Sequence, residues 1–215
     1  MPPLPARRLR CTMCMRPQSA CICAWVTPLA HQAEVLILQH PLEVDHAKGS
    51  ARLLHLSLPH SKLVVGEVFD DTVLRGLLTA PWQAAAGAAP RAVLLYPETD
   101  DGTSASLDPA WLHHPALIRL VVLDGTWRKS RKMLHQNPLL QQLPRLALKD
   151  LPASHYHVRQ AHRPHQRSTL EATCAALAQI EGDSPRLMLL LAAFDGFVAQ
   201  LAHAQPRHNS TPRIT

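Results

Sequence analysis

Four cysteines near the N-terminus constrain this chain more than any other feature. They follow the pattern C-x2-C-x6-C-x-C, at Cys11, Cys14, Cys21 and Cys23. A C-x2-C turn presents two thiolates to one point, and a second pair can complete a tetrahedron around a single ion. Thiolates are soft ligands, and four of them leave no coordination position open. The pattern therefore predicts a structural Zn²⁺ site.

Two disulfides, or four unrelated thiols, are the alternatives to a metal site. Only five cysteines occur in the 215 residues, so chance clustering is a poor explanation. Disulfides need an oxidising compartment, and the sequence has neither an N-terminal apolar leader nor an uninterrupted apolar stretch of about eighteen residues. We therefore expect a cytoplasmic protein with no membrane association. Cys174 lies in an alanine-rich segment and is expected to be a buried small hydrophobic residue.

The balance of charge favours a polyanionic partner. The chain has 22 Lys and Arg against 16 Asp and Glu, a net charge of +6 and a pI near 9.4. Arginines surround the cysteines, at Arg7, Arg8, Arg10 and Arg16. A small metal-stabilised module with arginines around it is typical of proteins that bind nucleic acid. The 14 histidines form no HExxH pattern, and we expect them at the surface.

Apolar runs alternate with segments of helical spacing along the chain. Strands are predicted at 34–40, 62–65, 92–96 and 117–123, with shorter ones at 145–148 and 155–159. Helices are predicted at 43–58, 70–78, 126–136, 168–181 and 185–204. This alternation predicts an α/β fold with a mainly parallel sheet that carries helices on both faces.

The chain is expected to divide into three parts. Residues 1–30 are predicted to form the zinc knuckle, 31–204 the main α/β domain, and 205–215 a disordered tail of polar residues. At 47% hydrophobic content, the main domain is long enough to bury a full core.

Two predicted strand ends carry residues suited to ligand binding, which in open α/β sheets occurs at the carboxyl ends of strands. One is the segment 96–99 (Tyr-Pro-Glu-Thr), and the other is 124–127 (Asp-Gly-Thr-Trp). Gly125 permits a tight turn and close approach of a ligand. The free N–H groups of Thr126, Trp127 and Arg128 open a helix and can hold an anion. Asp124 is the acidic residue at the second of these strand ends, and its carboxylate can accept a proton.

Structural roles are the alternatives for these residues. Asp124 can be a helix N-cap. The segment 168–172 (Ser-Thr-Leu-Glu-Ala) fits a capping motif. The cations Arg128, Lys129, Arg131 and Lys132 can be a solvated helix face. Neither GxGxxG nor GxxxxGK[ST] occurs, so the common nucleotide-loop fingerprints are absent from the sequence.

Several of these segments together resemble the DTW-domain family of tRNA-uridine aminocarboxypropyltransferases. The resemblance rests on 123–133 (LDGTWRKSRKM), 168–172 (STLEA), 40–43 (HPLE) and the four cysteines, and it runs from Cys11 to Phe197. It implies a SPOUT-like α/β fold, in which a C-terminal trefoil knot is common. Physics alone would not predict a knot, because knots are rare.

The resemblance also implies a reaction. It implies transfer of the 3-amino-3-carboxypropyl group of S-adenosylmethionine to N3 of a tRNA uridine, with release of methylthioadenosine; a uridine of the variable loop is our expectation. Asp124 is then the expected base. The residues expected around S-adenosylmethionine are Tyr96, Pro97, Glu98, Leu123, Gly125, Thr126, Trp127, Ser168, Thr169 and Glu171. Those expected to contact tRNA phosphates are Arg128, Lys129, Arg131 and Lys132.

Two other functions are compatible with parts of the sequence. A non-catalytic zinc-knuckle RNA-binding protein would need only the cysteines and the basic charge, but it leaves Asp124, beside Tyr96 and Trp127, without a role. A SPOUT-type RNA methyltransferase would share the fold class and S-adenosylmethionine. The mass of the product distinguishes methylation from aminocarboxypropyl transfer.

Overall fold

Five parallel strands form the central sheet. The computed structural model describes residues 9–46, 48–82, 88–98, 104–148, 167–182 and 185–204. The strands are β1 (Glu34–Gln39), β2 (Ser61–Val65), β3 (Arg91–Leu95), β4 (Ile118–Asp124) and β5 (Arg145–Leu146). Their order across the sheet is β2-β1-β4-β3-β5, and every neighbouring pair is parallel. The predicted α/β fold with a parallel sheet is confirmed.

Six α-helices are present among the described residues. They are α1 (Ala51–Ser57), α2 (Asp71–Thr79), α3 (Trp127–Gln136), α4 (Pro138–Gln141), α5 (Thr169–Glu181) and α6 (Pro185–Ala204). The helix predicted over 43–58 is wrong in its first half, where a 3-10 turn at Pro41–Glu43 is followed by a loop. The His46 carbonyl accepts a hydrogen bond from Gly49 N–H at 2.9 Å, which closes a turn before α1 begins. The predicted strand at 155–159 and the tail at 205–215 lie outside the described residues.

Helices cover both faces of the sheet because β1 and β4 are apolar on both faces. Val35 and Ile37 of β1 pack into one cluster with α1, α5 and α6. Leu36 and Leu38, which alternate with them, pack into a second cluster with α2, α3 and α4. This alternation of side chains explains why the strand sequences are continuously hydrophobic. The expectation of helices on both faces is confirmed.

The cysteine segment packs against α6. The ring of Trp25 lies on the backbone of Gly196, where a Cβ atom would come within 2.1 Å of it. Trp25 Nε1 donates a hydrogen bond to Gln200 Oε1, and the Arg16 guanidinium lies 5.2 Å from the centre of the Phe197 ring. The cysteine segment therefore shares one core with the sheet and α6. A division of the chain at residue 30 stays a prediction.

By length and composition, α6 is also the described helix that could cross a membrane. An 18-residue window at 185–202 has a mean hydropathy of 1.4, and 22% of the window is buried. Arg186, Asp195 and Gln200 interrupt its apolar sequence. Core helices satisfy the same criteria, and one face of α6 is buried in the core at Leu190, Phe194 and Phe197. The absence of membrane association stays a prediction.

The connections of the sheet reverse direction between β1 and β4. From β1 the chain passes through α1 to β2 at one edge, whereas from β4 it passes through α3 and α4 to β5 at the other edge. Such a topological switch point leaves a crevice at the carboxyl ends of the two strands, where α/β proteins bind ligands. The SPOUT-like classification and the knot stay predictions, since residues 149–166, between β5 and α5, lie outside the described part.

Candidate active site

Asp124 lies at this switch point, as the last residue of β4. Its Oδ2 atom accepts a hydrogen bond from Gln39 Nε2 at 2.9 Å, and its Oδ1 atom accepts one from Thr169 Oγ1 at 2.6 Å. The side chain is only 5% exposed. Burial raises the pKa of Asp124, and the hydrogen bonds from Thr169 and Gln39 partly oppose that shift. A carboxylate oxygen has two lone pairs, so the group can still accept a proton while both bonds hold it in place.

Asp124 is not the N-cap of the following helix, so that alternative is wrong. The N-cap of α3 is Thr126, whose hydroxyl accepts a hydrogen bond from Lys129 N–H at 3.4 Å. Asp124 still has the extended backbone of β4, and its side chain turns towards the start of α5 instead. A Cβ atom on Gly125 would come within 3.1 Å of Lys129 Cβ. Glycine at this position therefore lets α3 begin close to the strand end.

An aromatic pair borders the same crevice. The rings of Tyr96 and Trp127 are stacked, with centroids 5.2 Å apart and planes 12° apart. Trp127 is 57% exposed, so one face of its indole remains open to a ligand. The Tyr96 hydroxyl is buried and has no hydrogen-bond partner among the described residues. An open aromatic face beside a buried unpaired hydroxyl fits a flat, polar ligand such as adenosine.

The start of α5 combines a capping motif with a contact to Asp124. Ser168 and Glu171 form a capping box: Glu171 N–H donates to Ser168 Oγ at 3.3 Å, and Ser168 N–H donates to Glu171 Oε2 at 2.8 Å. The capping interpretation of this segment is confirmed. Thr169, between them, is the residue that reaches Asp124. A further role of Ser168 and Glu171 in binding S-adenosylmethionine stays a prediction.

The other three residues predicted around S-adenosylmethionine have different surroundings. Leu123 packs its side chain into the core beside α3. The Pro97 carbonyl accepts a hydrogen bond from Arg145 Nη1 at 3.4 Å, and Glu98 is exposed. Their part in ligand binding stays a prediction.

Sequence reasoning missed a chain of polar contacts that links α3 to β1. The Nδ1 atom of His40 accepts a hydrogen bond from Leu42 N–H at 3.1 Å, so Nε2 carries the hydrogen that it donates to Glu67 Oε1 at 2.9 Å. These contacts with His40, followed by those with Lys132, lower the pKa of Glu67. The backbone N–H of His40 donates to the Asp124 carbonyl at 2.9 Å. Because His40 is held by Leu42 and Glu67, its hydrogen bond to the Asp124 carbonyl restrains the backbone of Asp124.

Gln39 was also missed, although the sequence holds a signal for it. It is a single amide at the end of an apolar strand. The side chain is 4% exposed, and a buried amide needs hydrogen-bond partners. Such a residue at the carboxyl end of a central strand indicates a polar neighbour on the next strand, and that neighbour is Asp124.

The four cations of α3 fall into two classes. Lys129 Nζ lies 2.7 Å from Glu43 Oε1, and Lys132 Nζ lies 3.0 Å from Glu67 Oε1. Arg128 and Arg131 are exposed, and neither has a carboxylate partner in the described part of the chain. A phosphate would therefore not have to displace a carboxylate from either arginine, and the contact of all four cations with tRNA stays a prediction.

The four cysteines converge as a metal site requires. Their Sγ atoms all lie within 4.8 Å of one another, with Cys11 and Cys23 at 3.6 Å and Cys14 and Cys21 at 3.8 Å. A tetrahedron with Zn–S bonds of about 2.3 Å has S···S edges of about 3.8 Å, so the cluster fits one ion. None of the four is disulfide-bonded.

The surroundings of the cysteines separate them from the fifth thiol. Hydrogen bonds from the backbone N–H groups of Cys14 and Met13 lower the pKa of Cys11 to about 6. Burial and the neighbouring thiols raise the pKa of Cys23 to about 12. A bound cation would allow all four to ionise together. Cys174 is fully buried in the core, and burial raises its pKa to about 12, so its predicted role as a hydrophobic residue is confirmed.

Comparisons with known proteins agree with these features. The family model for the DTW domain matches residues 8–202. A protein named tRNA-uridine aminocarboxypropyltransferase 2 from Drosophila melanogaster is 30% identical over 185 residues, which cover 82% of this chain and 68% of the fly protein. Proteins of the same name from Macaca fascicularis and Mus musculus are 28% and 29% identical over 180 residues, which cover 81% of this chain but only 57% of each relative. No solved structure matches. The chain belongs to the DTW domain family.

Proposed function

We propose that this protein transfers the 3-amino-3-carboxypropyl group of S-adenosylmethionine to N3 of a tRNA uridine in the cytoplasm, and that methylthioadenosine is the by-product. Membership of the DTW family and the names of the relatives support the reaction class. The observation that carries the proposal is Asp124, a buried carboxylate with a raised pKa, held at the switch point of the sheet. A uridine of the variable loop is the proposed acceptor.

In this proposal the residues around Asp124 activate and align the acceptor. S-adenosylmethionine supplies an electrophilic methylene next to a sulfonium leaving group. Asp124 takes the proton from uridine N3, the new N–C bond forms, and the C–S bond breaks with its electron pair on sulfur. The raised pKa makes Asp124 a stronger base than a solvated aspartate. Gln39 and Thr169 hold the carboxylate in one orientation, and alignment of the reacting atoms provides much of the acceleration.

The surrounding residues account for binding. The open face of Trp127 and the hydroxyl of Tyr96 are suited to the adenosine of S-adenosylmethionine, and the free N–H groups at the start of α3 to its carboxylate. Arg128 and Arg131 are suited to tRNA phosphates. N3 must be exposed to react, so the target uridine is unpaired or flipped out. The four cysteines hold a structural Zn²⁺ that the chemical step does not need, because no coordination position stays open.

The experiment uses two isotopic forms of S-adenosylmethionine with unmodified tRNA and the purified protein. One form is labelled in the carboxyl group and the other in the methyl group. We expect label in tRNA from the carboxyl form alone, and a nucleoside of uridine plus aminocarboxypropyl mass. Incorporation of methyl label would indicate a methyltransferase. Absence of S-adenosylmethionine binding in calorimetry, with tRNA binding intact, would indicate a non-catalytic RNA-binding protein.

A further inference from the structure

A cavity of about 160 Å³ lies between the cysteine segment and the residues that follow β1. This knuckle cavity, as we call it, is lined on one side by Arg10, Arg16 and Ala20, and on the other by Gln39, Glu43 and Arg52. Its volume is well below the roughly 300–1,000 Å³ of pockets for drug-sized ligands. It therefore has room for one small group, such as a nucleobase, and is too small for all of S-adenosylmethionine.

The charges around the knuckle cavity favour an anionic ligand. The two carboxylates that line it already have cationic partners: Glu43 lies 2.7 Å from Lys129 Nζ, and Asp45 lies 3.0 Å from Arg10 Nη2. Arg52 adds a further positive charge to the lining, and Arg16, which also lines the cavity, donates a hydrogen bond to the His46 carbonyl at 3.3 Å. Arg52 has no carboxylate partner among the described residues. A phosphate at the mouth of the cavity would balance the charge of Arg52.

Gln39 joins the knuckle cavity to Asp124. Its amide nitrogen donates to the Asp124 carboxylate, while the same side chain lines the cavity. The amide oxygen of Gln39 has no hydrogen-bond partner in the described part of the chain, so it can accept from a ligand. Two other lining residues, Glu43 and His46, lie near enough to Asp124 to shift its pKa in opposite directions. A group in this cavity would therefore lie beside the proposed base.

We propose that the knuckle cavity receives the acceptor nucleotide, with its uracil against Gln39 and its phosphate at Arg52. The proposal rests on the proposed function and adds a location for the RNA substrate. Tyr96 and Trp127 follow β3 and β4, whereas the knuckle cavity follows β1, so the two substrates approach Asp124 from different sides. The cysteine segment then forms a wall of the acceptor site and also supports α6.

Two substitutions with matched controls test this location. Arg52→Gln removes a charge from the cavity, and Val44→Trp places a large ring at its lining. Arg75→Gln and Val73→Trp are the controls, because both residues are exposed on α2, on the opposite face of the sheet. The measurements are tRNA affinity with an unmodified transcript, S-adenosylmethionine affinity by calorimetry, and photo-crosslinking of a transcript that carries 4-thiouridine.

We expect Arg52→Gln to weaken tRNA binding about tenfold, because a charge-assisted hydrogen bond to phosphate is removed. Val44→Trp should weaken it as well, while S-adenosylmethionine affinity stays unchanged in both variants and the controls match wild type. Crosslinks should map to residues 10–20 or 39–52. If both cavity variants bind tRNA as their controls do, or crosslinks map to α3 alone, the location is wrong. If the binding effects appear but wild type transfers no group, the proposed function fails and the cavity remains a nucleotide site.

Discussion

Gln39 and Asp124 are register partners at the ends of β1 and β4, and the amide of one donates to the carboxylate of the other. The pairing occurs where the connections of the sheet reverse direction, so it spans the crevice in which α/β proteins bind ligands. A third element, α5, reaches the same carboxylate through Thr169. The position of the proposed base therefore depends on three segments that are far apart in sequence.

Replacement of Asp124 by Asn should abolish most transfer without unfolding the protein. The amide can accept from Gln39 and donate to the Thr169 hydroxyl, but it cannot take a proton. We expect single-turnover transfer to fall by about 10²-fold or more. The raised pKa means that burial of the charged form opposes folding at neutral pH, so the neutral amide should not lower the thermal midpoint. Transfer within a few-fold of wild type would leave Asp124 a structural residue.

The pH profile should report on the hydrogen bonds to Asp124. The base must be ionised, so the transfer rate should fall as pH drops through its pKa, which burial raises above the ordinary value for Asp. The Thr169 hydroxyl lowers that pKa, so Thr169→Val should move the acidic limb to higher pH. Thr173→Val, one turn later on α5, is the matched control and should leave the limb in place. If the acidic limb of Thr169→Val lies at the same pH as that of Thr173→Val, the role of Thr169 is contradicted.

Removal of one ligand should empty the metal site. Cys11→Ser or Cys23→Ser should release about one equivalent of zinc and destabilise the cysteine segment, because a structural site needs all four thiolates. Cys174→Ser is the control, since Cys174 is not one of the four convergent thiols and its replacement should leave the metal bound. The measurement is the zinc content of the wild type and of each variant, purified under reducing conditions. A wild-type protein without zinc would contradict the assignment.

The arginines and lysines of α3 should behave differently. Substitution of Arg128 or Arg131 by Gln should lower the slope of log K against log salt for tRNA by about 0.7–0.9 for each phosphate that is no longer neutralised, with little change in stability. Lys129→Glu should instead lower the free energy of unfolding by about 1 kcal/mol or more, because it places a second carboxylate beside Glu43. Salt titrations and denaturant unfolding measure the two effects. An unchanged slope of log K against log salt would show that Arg128 and Arg131 are exposed to solvent and do not contact tRNA phosphates.

The expectation that Lys129 and Lys132 are free for phosphate did not take their partners into account. Both partners, Glu43 and Glu67, lie in turns that follow strands, more than sixty residues earlier in the chain. Spacing along a helix predicts which face a lysine occupies, but it cannot reveal a carboxylate brought there by the sheet. The same limit explains why the hydrogen bond between Asp124 and Thr169 was not predicted.

Features set by local sequence were predicted well. The parallel strands follow from continuous apolar runs, and the start of α2 follows from Asp70, which accepts hydrogen bonds from Thr72 and Val73. The convergence of the cysteines follows from their spacing. The alternative that Asp124 caps α3 is wrong, and local sequence could not exclude it because Asp and Thr are both good N-caps. Only the structure shows that β4 extends through Asp124, which leaves Thr126 to cap the helix.

The packing of Trp25 against Gly196 and Gln200 has a consequence for synthesis of the protein. Trp25 and Gln200 are 175 positions apart, so the cysteine segment leaves the ribosome long before its partner helix exists. Interactions at such separation form late, and the apolar groups that they cover stay exposed until then. A chain that stops before α6 would leave the Trp25 ring uncovered. Early metal binding would then organise the segment until α6 is made.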